Sequence, residues 1–129
     1  MFEAQSVFSS FSVDNLHEAT LFYNDVMGLE IINEEMGISF ALPSGGTAFV
    51  YQKDGHQPAT FTILNFVVED IDQAVDMMLA RGVVFERYEG LPVAQDDKGI
   101  LRGLAAGQGP DIAWLRDPAG NVVSIIQSA

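Results

Sequence analysis

The sequence has no cysteine, only two histidines and only six basic residues in 129. The first absence excludes a disulfide framework, a thiolate nucleophile and any cysteine-held metal. Six basic residues against 18 acidic ones leave a formal net charge of −12. Such a field repels nucleic acid and anionic membranes and draws cationic ligands. The acids are spread along the chain rather than gathered in a tail, so they also serve solubility. No apolar run approaches the ~18–20 residues that a membrane-crossing helix needs. Residues 1–6 carry no basic stretch followed by an apolar one, so the expected address is the cytoplasm. What remains is 48% hydrophobic and 19% charged, a composition that folds, at a length that suits one domain with its own core.

The chain repeats itself once. Val13-Asp14-Asn15-Leu16-His17-Glu18-Ala19 lines up with Val68-Glu69-Asp70-Ile71-Asp72-Gln73-Ala74. In both, an apolar extended run meets a polar capping residue and an amphipathic helix begins. Ile71, Ala74, Val75, Met78 and Leu79 form an apolar stripe at helical spacing, and Leu16, Ala19, Phe22, Tyr23, Val26 and Met27 nearly repeat it. Gly28 and Gly82 are placed to end the two helices. Strand patterns lead each half at 6–13 and 61–68 and follow each helix at 29–33, 38–42 and 47–52, then at 83–88, 111–116 and 121–127. Pro43-Ser44-Gly45-Gly46 and Asp117-Pro118-Ala119-Gly120 supply turns. The reading is an α+β fold of two βαβββ modules, about 5–53 and 60–128, joined by a linker at 54–59 within a single domain covering 1–129. Residues 90–110 break the symmetry: a long Gly-rich segment that acts as a lid or partner contact, or hides a short strand at Ile100-Leu101-Arg102.

Asn15-Leu16, Phe22-Tyr23 and Met27-Gly28-Leu29, followed far downstream by Asp117-Pro118-Ala119-Gly120-Asn121, resemble the vicinal oxygen chelate superfamily. That group includes glyoxalases, extradiol dioxygenases, bleomycin-resistance proteins and fosfomycin-modifying enzymes. The resemblance runs over essentially the whole chain. It implies curved mixed sheets that enclose a cavity, with paired modules forming the working site. A four-stranded sheet with one helix leaves its second face bare, so the halves must cover each other or a second subunit, and a homodimer is expected.

Metal-dependent members hold their ion with His and Glu on four strands. The matching positions here are Phe8 and Ile63, seven residues before each capping residue, Ser124, seven after Asp117, and one of Val50 or Tyr51. A divalent ion needs three or four N or O donors at ~2.0–2.2 Å, and Phe and Ile have no lone pair to offer. His17, on the polar side of a helix, and His56, in the linker, both read as solvated. No metal and no cofactor is expected.

If those positions face the cavity, alternation along the strands places Phe8, Ser10, Phe49, Tyr51, Ile63, Asn65 and Ser124 along its wall, with Tyr88 and Trp114 adding aromatic area. Such a lining suits a flat, partly apolar small molecule, although the same residues would also fill a closed core. Trp114 reads equally as ligand shelf, interface anchor or core. Ser9, Ser10, Ser12 and Ser124 have no evident histidine base and no Gly-x-Ser-x-Gly elbow. Glu86 and Asp111 are the acids nearest the cavity edge and read as solvated. The leading expectation is a metal-free protein that binds a partly apolar or cationic aromatic molecule, with a small-molecule partner and neither nucleic acid nor membrane. The alternatives are a glyoxalase-like lyase or dioxygenase-like enzyme, with its catalytic residues unknown, and a structural module whose cavity is vestigial.

Overall fold

The structure is a computed structural model that describes residues 1–128. It divides into two compact units, Met1–Pro58 and the chain from Ala59 onward. In the first unit β1 (Ser9–Val13) leads into α1 (Leu16–Thr20), which continues as a π-helix (Leu21–Val26), and then β2 (Glu30–Asn33), β3 (Ile38–Ala41) and β4 (Thr47–Gln52) follow. The sheet order is β1-β4-β3-β2, with β1 parallel to β4 and the other pairs antiparallel. In the second unit β5 (Thr62–Val67), α2 (Ile71–Ala80), β6 (Leu101–Arg102), α3 (Gly103–Ala106), β7 (Asp111–Arg116) and β8 (Val122–Gln127) build the sheet β5-β8-β7-β6. β5 is parallel to β8, so both units have the mixed sheet of a βαβββ module.

The helices start where the repeat places them. Asn15 Oδ1 accepts the Glu18 N–H at 3.0 Å, and Asp70 Oδ1 accepts the Gln73 N–H at 3.1 Å. A second device repeats as well: Gln52 Oε1, at the end of β4, accepts the Leu16 N–H, and Gln127 Oε1, at the end of β8, accepts that of Ile71. Each strand end thereby satisfies a first-turn N–H that the helix itself cannot pair. Gly28 and Gly82 follow the helices at φ +75° and +86°, left-handed positions that glycine adopts without strain.

The first helix differs from the regular one that its stripe suggests. It widens at its second turn, where the Met27 N–H donates to the Phe22 carbonyl at 2.9 Å. The wide turn buries the neighbours Phe22 and Tyr23 together. The Tyr23 ring meets Phe22, Phe11 and Phe40 at centroid distances of 4.9, 5.4 and 6.0 Å and centres the first core. In the second unit, Ile71, Val75 and Met78 of α2 are buried, as are Ala113 and Leu115 of β7 and Val123 and Ile125 of β8.

Two strand expectations need correction. The leading strand begins at Ser9 rather than residue 6, because the ladder to β4 begins at the Ser9–Ala48 pair. The run 83–88 is not a strand. Only Phe85 bridges to β7, opposite Leu115, while Glu86 N–H donates to the Trp114 carbonyl at 2.8 Å. The other end of that same β7 margin pairs with β6, through Leu101 with Ile112 and Arg102 with Asp111. The edge strand is thus supplied in two pieces, and residues 87–100 leave the sheet between them. The alternative reading of a short strand near residue 101 is the one the structure adopts, followed by an unexpected turn of helix, α3.

Candidate functional site

Alternation sorts the strand residues by face. In β4, Ala48 and Val50 are buried with the helix side chains, while Phe49 and Tyr51 turn the other way. Their rings stack with centroids 6.0 Å apart and planes 18° from parallel. Register sets Ser10 beside Phe49 and Ser12 beside Tyr51 on this face. Ser12 also meets a histidine, against expectation: His56 Nδ1 lies 2.7 Å from Ser12 Oγ, and the ring is half-buried rather than free in a linker.

In the second unit two rows of side chains cross the helix-distal face. Asn65, Ser124 and Trp114 stand side by side on β5, β8 and β7, and Thr62, Val122 and Arg116 form the next row. Ser124 is fully buried, and its hydroxyl donates to Asn65 Oδ1 at 2.6 Å. The Thr62 row, with Trp114, Thr60, Phe61 and Tyr88, lines a pocket of about 230 Å3. Tyr88 stands edge-on to Trp114 at 5.3 Å. Its phenol is held above the usual tyrosine range, first by burial and then by the nearby Glu86 carboxylate, so it stays protonated.

Gln95 positions Tyr88. Its Oε1 accepts the Tyr88 N–H at 2.8 Å, and its Nε2 donates to the carbonyls of Glu86 and Gly99 at 2.9 and 2.7 Å. One side chain thus ties both arms of the 87–100 excursion together. Asp96 binds the Lys98 and Ile100 N–H groups and the Arg102 guanidinium, and Arg102 reaches Asp72 on α2 at 2.6 Å. The segment is fastened to α2 here, not hinged as a free lid. The hydrogen bond from Arg102 is the largest of the influences that lower the Asp72 carboxyl to about 2.

The nine residues read from sequence are not brought together equally. Tyr88 and Trp114 line the pocket, with Asn65 and Ser124 in the adjoining row. Ser10, Phe49 and Tyr51 share a face of the first unit's sheet. Phe8 precedes β1 and is 62% exposed. Ile63 falls in a bulge, where the β5–β8 register steps from Thr62 to Leu64, and Thr62 takes the place beside Val122. Sequence reasoning missed Arg116 and Thr60 to Thr62. Arg116 was within reach, two residues beyond Trp114 on one strand, whereas the bulge that promotes Thr62 has no sequence mark. Of the two acids read as solvated, Asp111 is not, and Glu86 is partly exposed but paired. Asp111 is buried and accepts the Leu104 N–H at 3.0 Å, and Glu86 accepts from Arg116 Nε at 2.6 Å.

The residues at the four ligand positions do not fit a divalent ion. Phe8 and Ile63 have no donor, Val50 turns into the core, Tyr51 presents only a phenol and the Ser124 hydroxyl is committed to Asn65. Among the described residues there is no group of three or more His, Cys, Asp or Glu able to hold a metal. No helix among them is long and apolar enough to cross a membrane.

Similar architectures are known in solved structures. TnmS3, an antibiotic binding protein from Streptomyces sp. CB03234, is 19% identical with a TM-score of 0.67, over 99% of this chain and 100% of that one. Lactoylglutathione lyase from Agrobacterium tumefaciens is 20% identical with a TM-score of 0.65, over 97% and 95%. The genomically encoded fosfomycin resistance protein FosX from Listeria monocytogenes is 17% identical with a TM-score of 0.68, over 100% and 96%. At these identities the likeness is one of fold. None of the curated proteins matches the sequence. The family model for the Glyoxalase/Bleomycin resistance protein/Dioxygenase superfamily matches residues 7–125, and the chain belongs to that superfamily, as a member without the metal-ligand residues.

Proposed function

We propose that this chain is a small-molecule-binding protein that works without a metal, as a homodimer, and holds the flat aromatic part of its ligand in the Trp114 pocket. The observation that carries this reading is the pairing of an aromatic-lined pocket with ligand positions filled by hydrocarbon and committed hydroxyls. At about 230 Å3 the pocket is below the ~300–1,000 Å3 usual for drug-sized ligands, so it suits one ring system or the ring-bearing end of a larger molecule. The fold likeness to an antibiotic binding protein is compatible with that role. At long range the net charge of −12 favours a cationic guest.

Trp114 is the only tryptophan, so its fluorescence reports occupancy directly. Titration with small neutral bicyclic aromatics is expected to change that emission. A ligand at ten times its Kd should stabilise the fold by about 1.4 kcal/mol and raise Tm by ~3–6 °C. Trp114→Ala should abolish the thermal shift. A folded wild-type protein that responds to no aromatic probe at millimolar concentration would remove the reading.

One observation favours a second reading, an enzyme: Ser12 Oγ and His56 Nδ1 are 2.7 Å apart, the spacing of a nucleophile and its base. Covalent labelling of Ser12 by a fluorophosphonate, lost in His56→Ala, would support it. An unlabelled Ser12 would leave binding alone.

A further inference from the structure

We infer that the Trp114 pocket selects an aromatic guest carrying a carboxylate or similar anion, over the neutral and cationic forms of the same ring. The inference rests on the proposed binding role of this pocket and adds the chemical class of its ligand. The only charged side chain lining the pocket is Arg116. Its guanidinium is fixed on two of its three nitrogens: Nε donates to Glu86 Oε1 at 2.6 Å and Nη1 to the Gly120 carbonyl at 2.8 Å. The third, Nη2, is left for a guest. A guanidinium already held in place loses little freedom when it binds, and its remaining nitrogen can make a single charge-assisted hydrogen bond to a carboxylate oxygen.

The other polar groups on the wall agree. The Tyr88 phenol stays protonated and serves as a donor, and the Thr60 and Thr62 hydroxyls can donate as readily as accept. No carboxylate is among the lining residues, and Glu86 is paired with Arg116 Nε at 2.6 Å. The opposing influence is the charge of −12 on the whole chain. At physiological salt that field is screened over about 8 Å, whereas the Arg116 contact acts at hydrogen-bond distance. The near contact therefore sets the preference, and the distant charges slow the approach of an anion.

The test uses three probes on one ring: naphthalene-2-carboxylate, naphthalene-2-carboxamide and 2-(aminomethyl)naphthalene. Binding to the full chain is measured by isothermal titration at neutral pH and 0.15 M salt. The carboxylate should bind about tenfold tighter than the amide, as a hydrogen bond to a charged group implies, and the amine weakest. Arg116→Gln should erase the advantage of the carboxylate over the amide, while Arg116→Lys should keep part of it. Amide or amine binding as tightly as the carboxylate on the wild-type protein would overturn the inference while leaving the pocket's binding role intact. Failure of all three to bind folded wild-type protein would instead overturn the binding role and the inference with it. The wild-type ranking decides the matter even if a variant folds poorly.

Discussion

Asp117 shows how much one buried side chain can organise. Its Oδ1 accepts the N–H groups of Ala119 and Asn121, both at 2.9 Å, and its Oδ2 accepts the Asn121 side-chain amide at 3.1 Å. Asn121 Oδ1 passes the connection on to the Ala59 N–H, tying the turn to the start of the second unit. Replacing Asp117 with Ala leaves buried donors unpaired, and a loss of about 3 kcal/mol is expected from urea denaturation. The Asp-Pro-x-Gly-Asn pattern was legible as a turn because its local chemistry is sequential. The reach back to Ala59 was not, since it joins residues far apart in the chain. Arg116 and Thr62 divide in the same way: one follows from strand alternation, the other from a bulge that only the folded ladder reveals.

At the scale of elements, the helices and most strands could be read because caps, stripes and turns are local. β4 and β7 have the bounds that their patterns indicate. The failure at 83–88 has a physical origin. Apolar alternation announces that a segment can join a sheet, but not that Phe85 will make a single bridge before Gln95, Arg87 and Asp96 draw the chain outward. The fastening of that excursion to α2 has a measurable signature. The Asp72 carboxyl is lowered in the folded protein to about 2 from the ordinary 3.8. Unfolded chains therefore bind its proton more readily, so its contribution is complete above about pH 4 and is lost as pH falls toward 2. Denaturant midpoints measured from pH 6 down to pH 2.5 should show this decline, and Asp72→Asn should remove its share of it. Because Asp72 is half exposed, the effect should also shrink in high salt.

For the whole molecule, charge and oligomeric state pull against each other. Two copies each carrying −12 repel, so a homodimer of this chain should tighten between 0.05 and 0.5 M salt. Sedimentation velocity across that range checks both the dimer and its salt response, and a monomer at every concentration would remove the dimer from the proposed function. The divided margin of β7 bears on something broader. Leu115 and Ile112 are each met by their own partner, so the pairing at either end of β7 does not run through the chain between those partners. Tyr88 lies on that excursion, held there by Gln95, whereas Trp114 belongs to β7. A change in the excursion would therefore alter the Tyr88 side of the pocket while leaving the strand that carries Trp114 in register.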